Sequence, residues 1–197
     1  MSDLNLFTKA VHSGMVPDKT TGAVVPPIFQ TSTYQQSSPG EHLGYDYSRG
    51  ENPTRQNLEK ALADLESAKY SLSFATGLAG EQAIIQTLSS GARVLVSDDV
   101  YGGTGRLFRD IFAKYGLTFD FVDLSDSTSL DQIVKNSYDL VWIESPSNPT
   151  LKIIDISKLA SICKKNNTLL VVDNTFSSPV FQNPLKLGAD IVVHSTT

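Results

Sequence analysis

From position 52 onward, hydrophobic and polar residues alternate between two periodicities. Asn52-Pro53 has the form of a helix N-cap followed by proline at the first helical position. Leu58, Ala61, Leu62 and Leu65 then recur at helical spacing and define one apolar face. Downstream, short apolar runs at 92–97, 117–122, 140–144, 168–173 and 191–194 are separated by amphipathic stretches at 78–89, 104–115, 128–136 and 155–166. Runs rich in Val, Leu and Ile suit strands buried on both faces, and the amphipathic stretches suit covering helices. The repeated alternation predicts an α/β, doubly wound fold, a mostly parallel sheet flanked by helices. In such folds ligands gather at the carboxyl ends of the strands, so candidate chemistry belongs there.

Residues 1–52 have a different texture. They are rich in Pro, Gly, Ser and Thr, with Pro26-Pro27, Pro39-Gly40 and scattered tyrosines, and show little periodicity. A structureless stretch of that length is out of place inside a compact domain. The expectation is an extended N-terminal arm over 1–52 that lies on a neighbouring subunit, followed by an α/β region over 53–197. The sequence shows neither an internal repeat nor a low-complexity tract.

Composition narrows the function. The 197 residues are 40% hydrophobic and 19% charged, which supports a sizeable core. A formal charge of -5, from 16 basic and 21 acidic residues, argues against a nucleic-acid platform. No apolar run approaches the roughly 18 residues that a membrane span needs. The start resembles neither a signal nor a transit peptide. Cys163, the only cysteine, sits in a helical stretch without a ligand-spaced partner and reads as a small buried residue. These features together suggest a reducing, cytoplasmic setting.

Several motifs could carry chemistry. Asp173 closes the run Leu169-Leu170-Val171-Val172, and a carboxylate there is costly to bury without a cation or donors. It could pair with a protonated ring nitrogen; a turn acid or helix N-cap is an equal reading. Phe74-Ala75-Thr76-Gly77-Leu78-Ala79-Gly80 leads into a helix whose amides could cradle a phosphate. Its glycine spacing is neither the dinucleotide fingerprint nor a P-loop, and in isolation a tight turn accounts for it better. Tyr101-Gly102-Gly103-Thr104 could lay an aromatic ring on a planar ligand, although an ordinary packed tyrosine gives the same pattern. Tyr47 and Arg49 offer donors suited to phosphate or carboxylate, or form a solvated loop. Ser195, Thr196 and Thr197 add hydroxyls after the last apolar run. His12 and His42 have no ligand-spaced partners, and no metal is assigned.

In combination these motifs resemble the Cys/Met-metabolism, or trans-sulfuration, pyridoxal-phosphate enzymes. The resemblance spans Thr21-Gly22-Ala23-Val24 to His194-Ser195. It rests on Tyr47-Ser48-Arg49, Asn52-Pro53-Thr54-Arg55, Tyr101-Gly102-Gly103-Thr104, Ser145-Pro146-Ser147-Asn148-Pro149-Thr150 and Val172-Asp173-Asn174-Thr175-Phe176. The resemblance implies the large domain of fold type I, as in aspartate aminotransferase, and pyridoxal 5'-phosphate as cofactor. It implies phosphate contacts from Gly77, Leu78, Ser195 and Thr197, ring stacking and proton transfer by Tyr101, and Asp173 on the pyridine nitrogen. Asn148 would lie near the ring hydroxyl. Tyr47 and Arg49 would reach a neighbouring subunit's cofactor within a homotetramer of active dimers, and Asp46 would face the substrate's distal amino group.

The family's Schiff-base lysine directly follows a Ser-x-Thr motif, here Ser195-Thr196-Thr197. The expectation is that the sequence breaks at that modified lysine and that the natural protein continues. Among branches, Val100–Thr104 and 140–146 look most like cystathionine γ-lyases, with cystathionine γ-synthases close behind and β-lyases or sulfhydrylases as relatives. Methionine γ-lyases usually carry cysteine where Gly103 stands. One departure is Glu51 directly before Asn52-Pro53-Thr54, where the family has glycine; Gly50 is shifted one place. The implied substrate is a small sulfur amino acid. Two readings of other classes are an inactive binding or regulatory partner of a full-length relative and a generic α/β nucleotide-binding domain, the latter disfavoured by the glycine spacing.

Overall fold

The computed structural model describes residues 5–130, 133 and 136–197. The chain forms two compact units, one ending at Ser73 and the other running from Phe74 to Thr197.

The first unit is mostly loop. Its two helices are α1 (Leu6–His12) and α2 (Pro53–Glu66), and β1 (Gln36–Ser38) and β2 (Glu41–His42) form a small antiparallel ribbon. Helix α1 lies inside the stretch expected to be extended. It starts because the Asn5 side chain accepts the Phe7 amide at 2.9 Å, a local cap that supports only seven residues. Asn52 caps α2 as its sequence suggests, accepting from Thr54 N at 2.9 Å with Pro53 at the start of the helix. The Asn52 side-chain Nδ2 also donates to Phe29 O at 3.1 Å and Ser48 Oγ at 3.0 Å, fastening two loop segments to the helix start.

The second unit is built on a five-stranded parallel sheet. The strands are β3 (Arg93–Ser97), β4 (Thr118–Val122), β5 (Leu140–Glu144), β6 (Leu169–Asp173) and β7 (Ile191–Val193), in the order β4-β3-β5-β6-β7. All five coincide with the apolar runs to within one residue at each end. Side chains alternate between the faces. Leu95, Val141, Ile143, Leu170 and Val172 pack one core with Leu159 and Cys163 of α5 (Ile156–Lys165). Val94, Val96, Leu140, Trp142, Val171 and Val193 pack the other with Ile85 and Phe108. Ile85 closes α3 (Gly77–Ile85), and Phe108 follows α4 (Gly102–Arg106).

The helix expected over 104–115 is broken into three kinds of turn. After α4 the chain widens into a π turn at Leu107–Ile111, then tightens into a 3-10 turn at Phe112–Tyr115. Phe108 and Phe112 are both buried. Phe108 meets Trp142 edge-on at 5.3 Å and stacks on Phe119 at 5.0 Å, so aromatic packing sets the path rather than helix propensity. Of the helix expected over 128–136, the start belongs to a 3-10 turn, Ser127–Leu130, and positions 131, 132, 134 and 135 lie outside the described residues. A short helix α6 (Ser178–Phe181) follows β6.

Candidate active site

The parallel register delivers several side chains to one end of the second unit. Glu144 ends β5 and Asp173 ends β6, and the two are register partners. By alternation both belong to the Trp142 and Val171 face, the side on which Ile85 and Phe108 pack. Asp173 is only 6% exposed. Its Oδ1 accepts from Thr175 N at 3.0 Å and Thr175 Oγ1 at 2.6 Å. Burial pushes its carboxyl above the usual range, opposed by the Thr175 bonds and the charge of His194.

Thr175 links this acid to the end of β7. Its Oγ1 accepts the Ser195 amide at 2.8 Å, and Ser195 Oγ donates to Thr197 Oγ1 at 3.0 Å. Ser195 also lies against the start of α3. A β-carbon on Gly77 would stand 3.2 Å from Ser195 Cβ and 3.4 Å from its hydroxyl, tighter than ordinary contact. Thr76 caps α3 by accepting Ala79 N at 3.0 Å. The Gly77 and Leu78 amides, first in the helix, have no intrahelical acceptor. Two amides outside the helix ladder and two hydroxyls therefore converge where the helix dipole favours an anion.

Tyr101 precedes α4; the residue is 47% exposed, and its backbone amide donates to Glu144 Oε2 at 2.6 Å. The ring folds over Gly103, where any side chain would collide with it. Asn148 is half-buried in the loop 145–150, and among the described residues its side chain takes no protein partner. Asp99 fastens that loop by accepting from Ser147 Oγ, Thr150 Oγ1 and, at 3.1 Å, Thr150 N.

Two buried acids lie behind Tyr101 and Asp173. Glu81 of α3 accepts from Thr104 Oγ1 at 3.0 Å, while its Oε2 is buried without a partner among the described residues. Burial pushes the carboxyls of Glu81 and Glu144 up to about 7 each, and the charge of Asp173 adds to both.

Asp46, Tyr47 and Arg49 form a cluster of their own in the first unit. Arg49 Nη2 donates to Tyr47 Oη at 2.9 Å with its guanidinium 5.2 Å from the ring centre, and Tyr47 N donates to Asp46 Oδ1 at 2.7 Å. At the Gly50-Glu51 departure both amides donate to Tyr47 O, at 3.0 and 3.1 Å.

The second unit thus brings together Gly77, Ser195, Thr197 and Asp173 through Thr175, and ties Tyr101 to the end of β5. Sequence reading missed Thr175, Glu81, Glu144 and Asp99. The available signal was an acid at a strand end, the reasoning that picked Asp173 and applies equally to Glu144. Among the described residues no cluster suited to a metal ion occurs, and no helix is long and apolar enough to cross a membrane.

The family model described as Cys/Met metabolism PLP-dependent enzyme matches residues 7–197. This chain belongs to that family. It is 49% identical to a cystathionine β-lyase of Coxiella burnetii, covering 98% of this chain and 50% of that protein. It is 46% identical to a probable cystathionine γ-synthase of Herpetosiphon aurantiacus, covering 99% of this chain and 61% of that protein. The solved cystathionine γ-lyase of Lactobacillus plantarum, complexed with L-serine, superposes with a TM-score of 0.92 at 38% identity, covering 97% of this chain and 50% of that one. The chain therefore spans about half the length of the relatives it matches.

The residues present fit pyridoxal phosphate. A buried, strand-end carboxyl without an ion pair among the described residues suits a cationic ring nitrogen. The crowding of Gly77 against Ser195 sets amides and hydroxyls together for a phosphate. The exposed Tyr101 ring supplies a stacking surface.

Proposed function

We propose that this site holds pyridoxal 5'-phosphate and serves cleavage of the Cγ–S bond of L-cystathionine. With one water the products are cysteine, 2-oxobutanoate and ammonia. The observation that carries the cofactor reading is Asp173, a buried carboxyl at a strand end, joined through Thr175 to the Ser195–Thr197 hydroxyls.

In this reading Gly77 and Leu78 amides and the Ser195 and Thr197 hydroxyls hold the phosphate. Asp173 keeps the ring nitrogen protonated, and Asn148 lies near the ring hydroxyl. Tyr101 covers one ring face and holds or passes a proton at the substrate amine. When bound, the cofactor supplies an electron sink for negative charge at the substrate Cα. The 1–52 arm belongs to subunit contacts in a homotetramer, where Tyr47 and Arg49 reach a neighbouring subunit's phosphate. Their pairing, guanidinium beside phenol, presents adjacent donors for such an anion. Asp46 faces the distal amino group of the substrate. The region 53–197 is the first part of the cofactor-binding domain, in a cytoplasmic enzyme.

The γ-lyase reading draws on the Val100–Thr104 and 140–146 stretches. The names of the relatives support β-lyase and γ-synthase readings on the same residues. Incubating the full-length protein and pyridoxal phosphate with cystathionine separates them. Release of 2-oxobutanoate and cysteine supports γ-cleavage, whereas pyruvate and homocysteine mark β-cleavage. Cystathionine formed only from cysteine and an activated homoserine marks the synthase. A protein that acquires no visible absorbance and turns over none of these is a binding partner, and the enzyme reading fails.

A further inference from the structure

Strands β3 and β5 are neighbours, with Val94, Leu95 and Val96 opposite Leu140, Val141 and Trp142. Their following loops leave the sheet side by side, and each sends an acid into the other. From the β5 side, Glu144 accepts the Tyr101 amide at 2.6 Å. From the β3 side, Asp99 accepts from Ser147 Oγ and from both the amide and hydroxyl of Thr150, on either side of Asn148. Further bonds tighten the crossing. Glu144 N donates to Ser97 Oγ at 3.3 Å, and Ser147 Oγ accepts Lys152 N at 2.8 Å. Lys152 Nζ in turn reaches Asp98 at 2.9 Å and Asp123 at 2.7 Å.

Glu144 is 3% exposed, so its carboxyl is not a solvated surface acid that meets Tyr101 by accident. Tyr101 has no side-chain cap of its own and stands directly before a helix of only five residues. Three glycines among those five leave the turn little intrinsic stiffness. The position of the Tyr101 ring is therefore set by what its backbone is tied to.

We propose that Glu144 and Asp99 are positioning residues that form a reciprocal brace, Glu144 fixing Tyr101 and Asp99 fixing the Asn148 loop, so that the two groups keep a set spacing across the cofactor ring. The proposal rests on the reading that Tyr101 and Asn148 flank that ring. Neither acid needs to touch substrate or cofactor. Glu144 acts through the Tyr101 amide and Asp99 through Ser147 and Thr150.

The test uses the full-length protein and pyridoxal phosphate, reading the cofactor dissociation constant, its visible circular dichroism band and the thermal midpoint, besides activity. Glu144→Ala is expected to weaken cofactor binding about tenfold, the scale for leaving one backbone donor without its acceptor, and to change the visible band. Its kcat falls while KM changes little. Glu144→Gln, which keeps a carbonyl acceptor, restores most of the affinity and the band. Glu144→Asp, with the acceptor withdrawn by one methylene, behaves like Ala and stands in for it if Ala does not fold. On a Tyr101→Ala background either loss variant adds no further weakening, because the ring through which Glu144 acts is gone. A lowered thermal midpoint with wild-type affinity and band overturns the proposal. So does a Glu144 effect that persists in full without the Tyr101 ring. Wild-type protein that binds no pyridoxal phosphate overturns the cofactor reading itself, a failure visible before any variant is made.

Discussion

The Tyr101 ring lies directly over Gly103, so a β-carbon at position 103 would stand 3.0 Å from Tyr101 Cδ1 and closer still to Cε1. The obstacle is a movable ring, not backbone, so a side chain there displaces Tyr101 and leaves the fold intact. Gly103→Ala is expected to weaken pyridoxal phosphate binding severalfold, since an aromatic stacking contact contributes about 0.5–1.5 kcal/mol. Gly102→Ala is the matched control. Its β-carbon would meet only the Arg106 guanidinium, at 3.3 Å, the end of a flexible side chain. Cofactor titration of the two variants side by side decides; equal affinities would show that the ring does not cover the cofactor.

Thr175 supplies a second prediction. Its hydroxyl donates to Asp173 and accepts from the Ser195 amide, so one atom joins the proposed ring-nitrogen and phosphate contacts. Thr175→Val keeps the shape and deletes that atom, leaving Ser195 N without its acceptor. The expected loss in cofactor affinity is roughly tenfold, on the order of 1 kcal/mol for a half-buried donor left unpaired. Thr175→Ser should recover it. Titration with pyridoxal phosphate, and competition by inorganic phosphate, reports the change. An unaltered constant for the valine variant would mean the link is dispensable.

Much of the fold could be read from local pattern, and the reasons are physical. The run 140–144 is β5 residue for residue, because strands buried on both faces are apolar throughout. Asn52 and Pro53 start α2 where their capping chemistry places the start. The break in the 104–115 helix was not legible, because it follows from Phe108 meeting Trp142, 34 positions away in sequence. The seven-residue α1 escaped for the opposite reason, since one cap and no buried face leave almost no periodic signal. Within the site, Asp173, Tyr101 and Ser195 sit in motifs of adjacent residues. The Glu144–Tyr101 bond spans 43 positions and the Thr175–Ser195 bond spans 20, so neither has a local signature.

Cys163 gives a prediction independent of any ligand. It is buried in the core between α5 and the sheet, and burial together with the charge of Asp190 pushes its thiol up to about 12. A thiol so placed is almost entirely protonated at neutral pH and shielded from reagents. Alkylation of the native protein, followed by peptide mapping, is expected to leave the Cys163 peptide unmodified, with labelling appearing only in denaturant. Rapid native labelling at that peptide would contradict its place in the core.

Glu81 makes stability depend on pH in a definite direction. Its carboxyl is pushed up to about 7 in the folded chain, against an ordinary value of 4.5, by burial and by the nearby charge of Asp173, with Thr104 pulling the other way. Between those two values the native state holds a proton that the unfolded chain has released, so raising pH weakens folding across that window. Below about 4.5 both states are protonated and the group is neutral in effect; above about 7 the full cost of a buried carboxylate is present. Glu144, also near 7, titrates together with Glu81, so the observed steps belong to the pair. Glu81→Gln keeps the volume and an acceptor for Thr104 while removing the charge. The variant should match wild type near pH 4.5 and exceed it at pH 8, by on the order of 2 kcal/mol. Urea unfolding of both cofactor-free proteins at half-unit pH steps traces that difference. A gap that stays constant from pH 5 to 8 would mean Glu81 is already ionised in the fold, its charge met by a partner other than Thr104.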